Sequence, residues 1–298
     1  ESPITLFSDE SSQQVELTSL SGTYKMRGIL ADDFPELPLV ESGTILKIKV
    51  NSLIQSIKAT LFASSSDEAK QLLTGVHLSF DGISMESAAT DGHRLAVLHL
   101  SDALEDDNSM NDDEALKVTL PSRSLREVER LISSWNKDEI ISLFFDKGQV
   151  VFLGSNQIIT TRTLEGTYPN YSQLIPDDFS RNIQLDRKDF VSSLERVAVL
   201  ADQHNNVIKL SNQVDSSVVY ISADAQDVGS GSESIPAISE GDDFDIAFNV
   251  KYLLDGLKSL ESDKIILKCN SPTTPAIIVP YDDSNNFTYL VMPVQIRS

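Results

Sequence analysis

The chain has 298 residues, of which 40% are hydrophobic, and a formal net charge of −21. This length allows two or more domains, and the apolar runs are too short to cross a bilayer, so no membrane partner is predicted. A negative charge that was evenly spread would exclude tight binding to nucleic acid, because phosphate contacts need clustered Lys and Arg. Cys269 is the single cysteine, and no signal-peptide pattern opens the sequence. These features predict a cytoplasmic protein without disulfides.

Short alternating strands, broken by Gly, Asn, Asp and Ser, are interrupted by four helical stretches. This mixture predicts an α+β fold with antiparallel sheets. Each helical stretch directly follows a strand. In chain order the four strand–helix units are LKIKV–NSLIQSIKATL, LKVTL–PSRSLREVERLI, NIQLD–RKDFVSSLERVAVL and FDIAF–NVKYLLDGLKSL. The text before them reads as strands already in progress, so we expect the start of a first domain to be missing.

The four strand–helix units form a repeat. The first aligns with the third at an offset of 137 residues, which places Leu53 over Phe190, and the second aligns with the fourth at 128. Apolar positions match apolar positions, as an internal repeat requires. The repeat predicts two domains, 44–178 and 179–298, joined by the acidic linker LIPDDFS, with 1–43 as the C-terminal remnant of another domain. The alternative is that strand–helix alternation recurs by chance.

The charge is not evenly spread. The helical windows 52–61, 122–132, 187–198 and 250–260 each carry a net charge of +1, so the rest of the chain is strongly acidic. A basic helical layer in an acidic body would meet DNA weakly on one surface and repel it elsewhere. The alternative is that helices simply favour Lys and Arg. The acidic run at 101–115 lacks the Gly of a calcium-binding loop and is predicted to be a solvated loop.

No nucleophile motif, P-loop or zinc-protease motif occurs in the chain, so no catalytic residue, metal or other cofactor is predicted. The densest polar cluster is AATDGHRLAV at 88–97, where His93 could act as a base oriented by Asp91. Asp-Gly is a turn dipeptide, however, and neighbouring side chains on a tight turn point apart. An enzyme and an extracellular adhesive β protein both remain as alternatives. The lack of a signal pattern and of cysteine pairs counts against the adhesive protein.

Several motifs together resemble the bacterial DNA polymerase III beta subunit family, the sliding clamps, in the order and spacing of that family. They are ADDFPELP at 31–38, TDGHRLAV at 90–97, EGTYPNYSQLIP at 165–176, FNVKYLLDGL at 248–257 and YLVMPV at 289–294. The resemblance implies the DNA clamp fold, in which repeated domains each have antiparallel sheets outside and two helices inside. It further implies a ring-shaped homodimer around double-stranded DNA that tethers the replicative polymerase as a processivity factor.

The resemblance also implies three sets of site residues. Cations that line the hole would contact DNA without sequence specificity: Lys58, Lys70, Arg123, Arg126, Arg130, Lys188, Arg196, Lys251 and Lys258. An apolar pocket would bind a short linear motif of the DNA polymerase III alpha subunit, the clamp loader, other polymerases and repair proteins. Its residues would be Leu73, Thr90, Gly92, His93, Arg94, Leu95, Pro169, Leu174, Asn249, Tyr252, Val291, Met292, Pro293 and Val294. In the dimer, Tyr24 and Met26 would meet Val199 and Leu200 of the partner.

Overall fold

The computed structural model describes residues 3–9, 11–35, 43–105, 115–146, 148–154, 157–201, 206–213, 216–225, 229–282 and 286–295. The chain divides into two compact units, Glu1–Leu39 and Val40–Ser298. Most of the acidic run predicted as a solvated loop, from 106 to 114, lies outside the described residues, and so does 36–42, next to the predicted boundary at 43/44. No helix in the described ranges is long and apolar enough to cross a membrane.

The first unit is a small antiparallel sheet. In its described residues the strands follow one another in sheet order: β1 Thr5–Asp9, β2 Gln14–Ser19 and β3 Gly22–Arg27. A short 3-10 turn follows at Ala31–Asp33. None of the described residues of this unit is buried. A sheet of this size with no covered face has little core of its own.

The second unit contains the remaining strands. In chain order the first five are β4 Thr44–Lys49, β5 Gly75–Asp81, β6 Ser84–Thr90, β7 Arg94–Leu100 and β8 Leu116–Pro121. Next come β9 Ile140–Asp146, β10 Gln149–Gly154, β11 Gln157–Arg162, β12 Arg181–Asp186, β13 Val207–Asn212 and β14 Val218–Ala225. The last are β15 Gly229–Glu240, β16 Phe244–Asn249, β17 Lys264–Cys269, β18 Ala276–Pro280 and β19 Phe287–Val291.

Every α-helix of the described chain begins directly after a strand, as the strand–helix units predicted. The helices are α1 Val50–Thr60 after β4, α2 Ser122–Ile132 after β8, α3 Arg187–Ala198 after β12 and α4 Val250–Ser259 after β16. Side chains cap two of them: Asp186 accepts from the Asp189 amide (3.0 Å), and Asn249 accepts from the Lys251 amide (3.0 Å). Such caps satisfy amides that have no partner inside the helix.

The strands of the second unit form two antiparallel sheets within the described residues. The smaller has the order β11-β10-β9-β4, and the larger has the order β16-β13-β14-β15-β12-β17-β18-β19-β7-β6-β5-β8. In the larger sheet β19 pairs with β7, which places Leu290 opposite Leu95 and Val291 opposite Arg94. The predicted α+β class with antiparallel sheets is confirmed. The β19–β7 pairing also brings the C-terminal strand beside residues 90–94.

The helices form a layer that packs on the sheets. α1 contacts α2 and α4, and α3 contacts α4. Apolar residues one turn apart face the core, so Leu53 and Ile57 in α1 and Phe190 and Leu194 in α3 are all 0% exposed. Burying each of these side chains stabilises the fold by about 1.5–3 kcal/mol. Most charged residues of the same helices, such as Lys58, Lys188 and Arg196, lie on the opposite, exposed side.

α4 approaches β19 closely because Gly256 has no side chain. Gly256 and Tyr289 are both buried, and a Cβ at Gly256 would collide with the Tyr289 ring. The Tyr289 hydroxyl donates to the Tyr252 carbonyl of the same helix (2.7 Å). Glycine inside a helix costs about 0.5–1 kcal/mol relative to alanine, and the close packing gives the reason for it here. The exposed residues of α4 are thereby held beside the end of β19.

Candidate functional site

The TDGHR turn, residues 90–94, joins β6 to β7 and is fixed by its own side chains. Asp91 Oδ1 accepts from the backbone amides of His93 (2.8 Å) and Arg94 (3.1 Å). Gly92 has a φ of +95°, a conformation that favours glycine. The turn predicted from the Asp-Gly dipeptide is therefore confirmed, and the Asp91 side chain links its backbone amides.

The Arg94 side chain joins this turn to two other parts of the fold, and only 10% of it is exposed. Nε donates to Asp91 Oδ2 (3.0 Å), Nη1 to Asp255 Oδ2 on α4 (2.5 Å), and Nη2 to the Phe62 carbonyl (2.8 Å). The guanidinium carbon also lies 4.6 Å from the centre of the Tyr252 ring, a cation–π contact. Burial lowers the pKa of Arg94, but the hydrogen bond to Asp255 and the charge of Asp91 raise it above its ordinary value. We call this arrangement the Arg94 junction.

His93 forms a wall beside the junction. Its imidazole stacks on the Tyr252 ring, with centroids 6.2 Å apart and 16° between the planes. Both oxygens of Asp91 are occupied by the turn amides and by Arg94, so this carboxylate does not orient His93 as a general base would require. The His93 carbonyl accepts from the Met292 amide (2.9 Å). The geometry fits a binding surface and not the acid–base pair considered as an alternative.

Residues 292–294 continue from β19 along the other side of the turn. The Met292 amide donates to the His93 carbonyl of the turn, as described above, and the Val294 amide donates to the Ala247 carbonyl on β16 (2.8 Å). The side chains of the three residues are partly buried. Val291 and Leu95 are each only 1% exposed, but they lie on opposite faces of the sheet, since Val291 belongs to the main core and Leu95 to a separate apolar cluster. The stretch is thus held by hydrogen bonds to the TDGHR turn and to β16.

The other predicted pocket residues lie on separate elements. Pro169 and Leu174 are exposed on the connecting segment, which we define as residues 163–180 between β11 and β12. Leu73 is partly buried on a 3-10 helix, Glu68–Thr74. Asn249 is partly buried and caps α4 as described. Hydrogen bonds and ring contacts join the TDGHR turn, Tyr252 and Met292.

A small apolar cluster separate from the main core underlies this region. It contains Ala88, Leu95, Val97, Ile277 and Leu290, with Tyr171, Ile175, Phe179, Val279 and Met292 packed against it. Since β6, β7, β18 and β19 supply its buried members, it lies on the face of the sheet opposite to the helices. We call it the outer cluster. It connects the predicted pocket residue Leu95 with the connecting segment.

Sequence reasoning missed three contributors to this site. Asp255 binds Arg94 and lies three residues after Tyr252, a spacing that puts both on one helix face and could have identified it. Phe62 contributes a backbone carbonyl, for which a sequence has no signal. Tyr168 stands beside Pro169, and its hydroxyl accepts from the Thr90 amide (3.2 Å).

The predicted DNA-lining cations are all exposed, and every one except Lys70 lies on the helical layer. Lys70 lies on the 3-10 helix Glu68–Thr74, and its Nζ donates to the Asp91 carbonyl (3.4 Å). Four others form ion pairs: Arg130–Glu127 (2.8 Å), Lys188–Asp263 (2.9 Å), Arg196–Glu233 (2.7 Å) and Lys258–Glu195 (2.6 Å). Lys58, Arg123, Arg126 and Lys251 have no ion pair with any described residue. Half of the cations on the layer are therefore partly neutralised by nearby carboxylates.

The predicted dimer residues are mostly exposed in their own units. Tyr24 and Met26 on β3 are 58% and 47% exposed. Val199, directly after α3, is 75% exposed, and Leu200 is partly buried. Exposed apolar side chains of this kind are available for a partner. Among the described residues, no group of three or more His, Cys, Asp or Glu side chains could hold a metal ion.

Two family models match consecutive stretches of the chain. The central domain of the DNA polymerase III beta subunit matches residues 47–170, and the C-terminal domain of the same subunit matches residues 172–295. Together the two matches cover most of the 298 residues. They include the TDGHR turn, the α-helices of the described residues and the connecting segment except for Tyr171.

Similar proteins carry the same family name. The beta sliding clamp of Synechococcus elongatus is 48% identical over 298 residues, which are 100% of this chain and 77% of that protein. The beta sliding clamp of Staphylococcus epidermidis is 32% identical over 284 residues, 95% of this chain and 72% of that protein. The crystal structure of the DNA polymerase sliding clamp from Bacillus subtilis matches with a TM-score of 0.88 at 29% identity, covering 99% of this chain and 75% of that chain.

These matches decide between the alternatives that the sequence left open. Proteins of this family are non-catalytic processivity factors, which rules out the enzyme alternative, and the adhesive protein finds no support among the relatives. The fold class and the family predicted from the motifs are both confirmed. The chain belongs to the DNA polymerase III beta subunit family, the beta sliding clamps, and functions as a DNA sliding clamp.

Proposed function

We propose that this clamp encircles duplex DNA with its helical layer towards the phosphates and binds linear motifs of its partners around the TDGHR turn. The observation that carries the second part is the Arg94 junction, in which one largely buried guanidinium holds the turn, α4 and Phe62 together. A surface that is already ordered binds a flexible peptide more tightly, because less conformational freedom is lost on binding.

The side chains around the junction suit apolar anchor residues of a peptide. Leu174 is 52% exposed, Pro169 is exposed, and Leu95 lies below in the outer cluster. Met292 is partly buried and unbranched, so it can repack around different side chains. These properties support one site for several partners. The proposed ligands are the motifs of the DNA polymerase III alpha subunit, the clamp loader, other polymerases and repair proteins.

The helical layer supports weak, non-specific contact with DNA. Each firm contact between a cation and a phosphate adds affinity that depends on salt. Because four of the exposed cations already have carboxylate partners, the layer attracts phosphate less than their number suggests. The strong negative charge of the whole chain opposes binding elsewhere on its surface. Such a charge pattern suits a protein that moves along DNA.

We also propose a homodimer in which Tyr24 and Met26 pack against Val199 and Leu200 of the partner. The exposure of the first three side chains supports this assignment. The proposed domains are those of the repeat, 1–43 for the end of the first domain, 44–178 and 179–298. The proposed location is the cytoplasm, where the partners of replication act.

Titration of a fluorescent peptide with the pattern Gln-Leu-x-Leu-Phe tests the peptide site. Leu174→Asp and Met292→Asp should each weaken binding about tenfold or more, because a charge enters an apolar contact. Ile238→Asp on β15 is the matched control, since Ile238 is a 64% exposed apolar residue on another part of the sheet. Unchanged affinity in both site variants, or no binding by the unaltered chain at high micromolar peptide, would refute the proposal.

A further inference from the structure

The connecting segment carries two predicted pocket residues but has few backbone contacts with the sheet. Its first residues are held by hydrogen bonds from the Thr163 amide to the Gly148 carbonyl (2.9 Å) and from the Leu164 amide to the Thr119 carbonyl (2.8 Å). Near its end, the Ser180 amide donates to Asn270 Oδ1 (2.7 Å). Within the described chain, backbone groups of 165–177 hydrogen bond only to one another. Side chains must therefore hold the middle of this segment.

Tyr168 is the first of these side chains and is 7% exposed. Its hydroxyl accepts from the Thr90 amide (3.2 Å). Thr90 is the last residue of β6 and the first of the TDGHR turn. Its ring lies flat on the His77 imidazole, with centroids 4.8 Å apart and 10° between the planes. His77 is fixed in turn by a hydrogen bond between Nδ1 and Thr119 Oγ1 (3.0 Å). Tyr168 therefore couples the connecting segment directly to the turn.

Tyr171 is the second side chain. Its hydroxyl donates to Glu86 Oε1 on β6 (2.5 Å), and its ring packs edge-on against His77 and Tyr168, with centroids 6.4 Å and 6.2 Å away. The same ring also packs on the outer cluster. Burial raises the pKa of Tyr168 to about 12, and burial followed by the bond to Glu86 raises the pKa of Tyr171. Both phenols therefore keep their protons near neutral pH.

The two tyrosines stand next to the pocket residues of the segment. Pro169 directly follows Tyr168 in the chain. The Leu174 amide donates to the Tyr171 carbonyl (3.0 Å), which closes the short 3-10 helix Ser172–Leu174. A cavity of ≈ 840 Å³ borders the tyrosines and His77, so there is room for the segment to shift if these contacts are lost.

We propose that Tyr168 and Tyr171 are positioning residues for peptide binding: they set the distance of Pro169 and Leu174 from the TDGHR turn. This inference rests on the proposed function of the turn as a peptide site. The tyrosines act through their neighbours and are not themselves peptide contacts. Removing either hydroxyl loosens the segment and raises the conformational freedom that a peptide must remove on binding.

Isothermal titration of the intact chain with the peptide tests this inference. Tyr168→Phe and Tyr171→Phe keep the stacked rings and remove one hydrogen bond each, so each should weaken binding about fivefold with unchanged stoichiometry. Tyr220→Phe on β14 is the matched control, since Tyr220 is 43% exposed and far along the sheet. A purely structural role would lower the melting temperature and the fraction of active protein but leave the dissociation constant unchanged.

A double-mutant cycle sharpens the test for Tyr171. Glu86→Ala should weaken binding as much as Tyr171→Phe, and the double variant should be no weaker than either one, because both remove the same hydrogen bond. Glu86→Gln keeps an acceptor oxygen and should restore most of the affinity. Dissociation constants of Tyr168→Phe and Tyr171→Phe equal to that of the unaltered chain would overturn the inference. A chain that binds no peptide in any form would instead refute the proposed function itself.

Discussion

Arg94→Lys tests the Arg94 junction without changing the charge of the side chain. The arginine donates to Asp91, Asp255 and the Phe62 carbonyl from a side chain that is 10% exposed. A lysine has one ammonium on a flexible stem and cannot reach three acceptors that lie in different directions. If two of the bonds are lost at about 1.5 kcal/mol each, the free energy of unfolding should fall by about 3 kcal/mol. Peptide affinity should fall as well.

Urea unfolding followed by tryptophan fluorescence measures this change. Trp135 is the only tryptophan of the chain. It packs against the main core of the second unit, and the Arg94 junction lies in the same unit. Arg130→Lys is the matched control, because the Arg130–Glu127 pair is 73% and 54% exposed and such pairs contribute about 0–1 kcal/mol. An Arg94→Lys protein within about 0.5 kcal/mol of the unaltered chain would show that the junction does not hold these elements together.

Three further predictions follow from the same structure. Burial, and then nearby Lys117, lowers the pKa of His77 below 6.5, so the unfolded chain binds this proton more tightly. The free energy of unfolding should therefore fall as pH drops below about 6.5, and His77→Leu should reduce this fall in urea titrations. Arg126→Gln should lower the salt dependence of DNA binding by about one phosphate contact and leave peptide titrations unchanged. Gly256→Ala should lower the free energy of unfolding by about 1–3 kcal/mol, measured by urea, because the new methyl group meets the Tyr289 ring. An unchanged free energy of unfolding in Gly256→Ala would contradict the third prediction. The same pH dependence of that free energy in His77→Leu and in the unaltered chain would contradict the first, and an unchanged salt dependence of DNA binding in Arg126→Gln would contradict the second.

The strand–helix units could be read from the sequence because their signals are local. Alternation of apolar residues changes to a helical period within one unit, and in the second unit Pro121 marks the change. α2 therefore begins at Ser122, directly after Pro121, and α1 begins at Val50, one residue before the predicted start. The turn at Asp91 was predictable for the same reason, since an Asp-Gly pair specifies its own backbone conformation.

The contacts that build the candidate site could not be read in this way. Arg94 binds Asp255, 161 residues away along the chain, and Tyr168 meets the Thr90 amide across 78 residues. Partners of this kind depend on how strands pair, and the pairing of β19 with β7 is what places Met292 beside the turn. Motif resemblance identified which segments matter, but not which side chains join them.

The sequence by itself determined the repeated strand–helix order, the basic character of the helices and the family. Those properties follow from residue types and from their spacing over a few turns. Only the tertiary structure decided that half of the exposed cations on the helices have carboxylate partners, such as Glu233 for Arg196 and Glu195 for Lys258. It also decided that Tyr168 and Tyr171 hold the connecting segment. Ion pairs and hydrogen bonds between distant segments depend on distances in space, and a list of residues does not contain those distances.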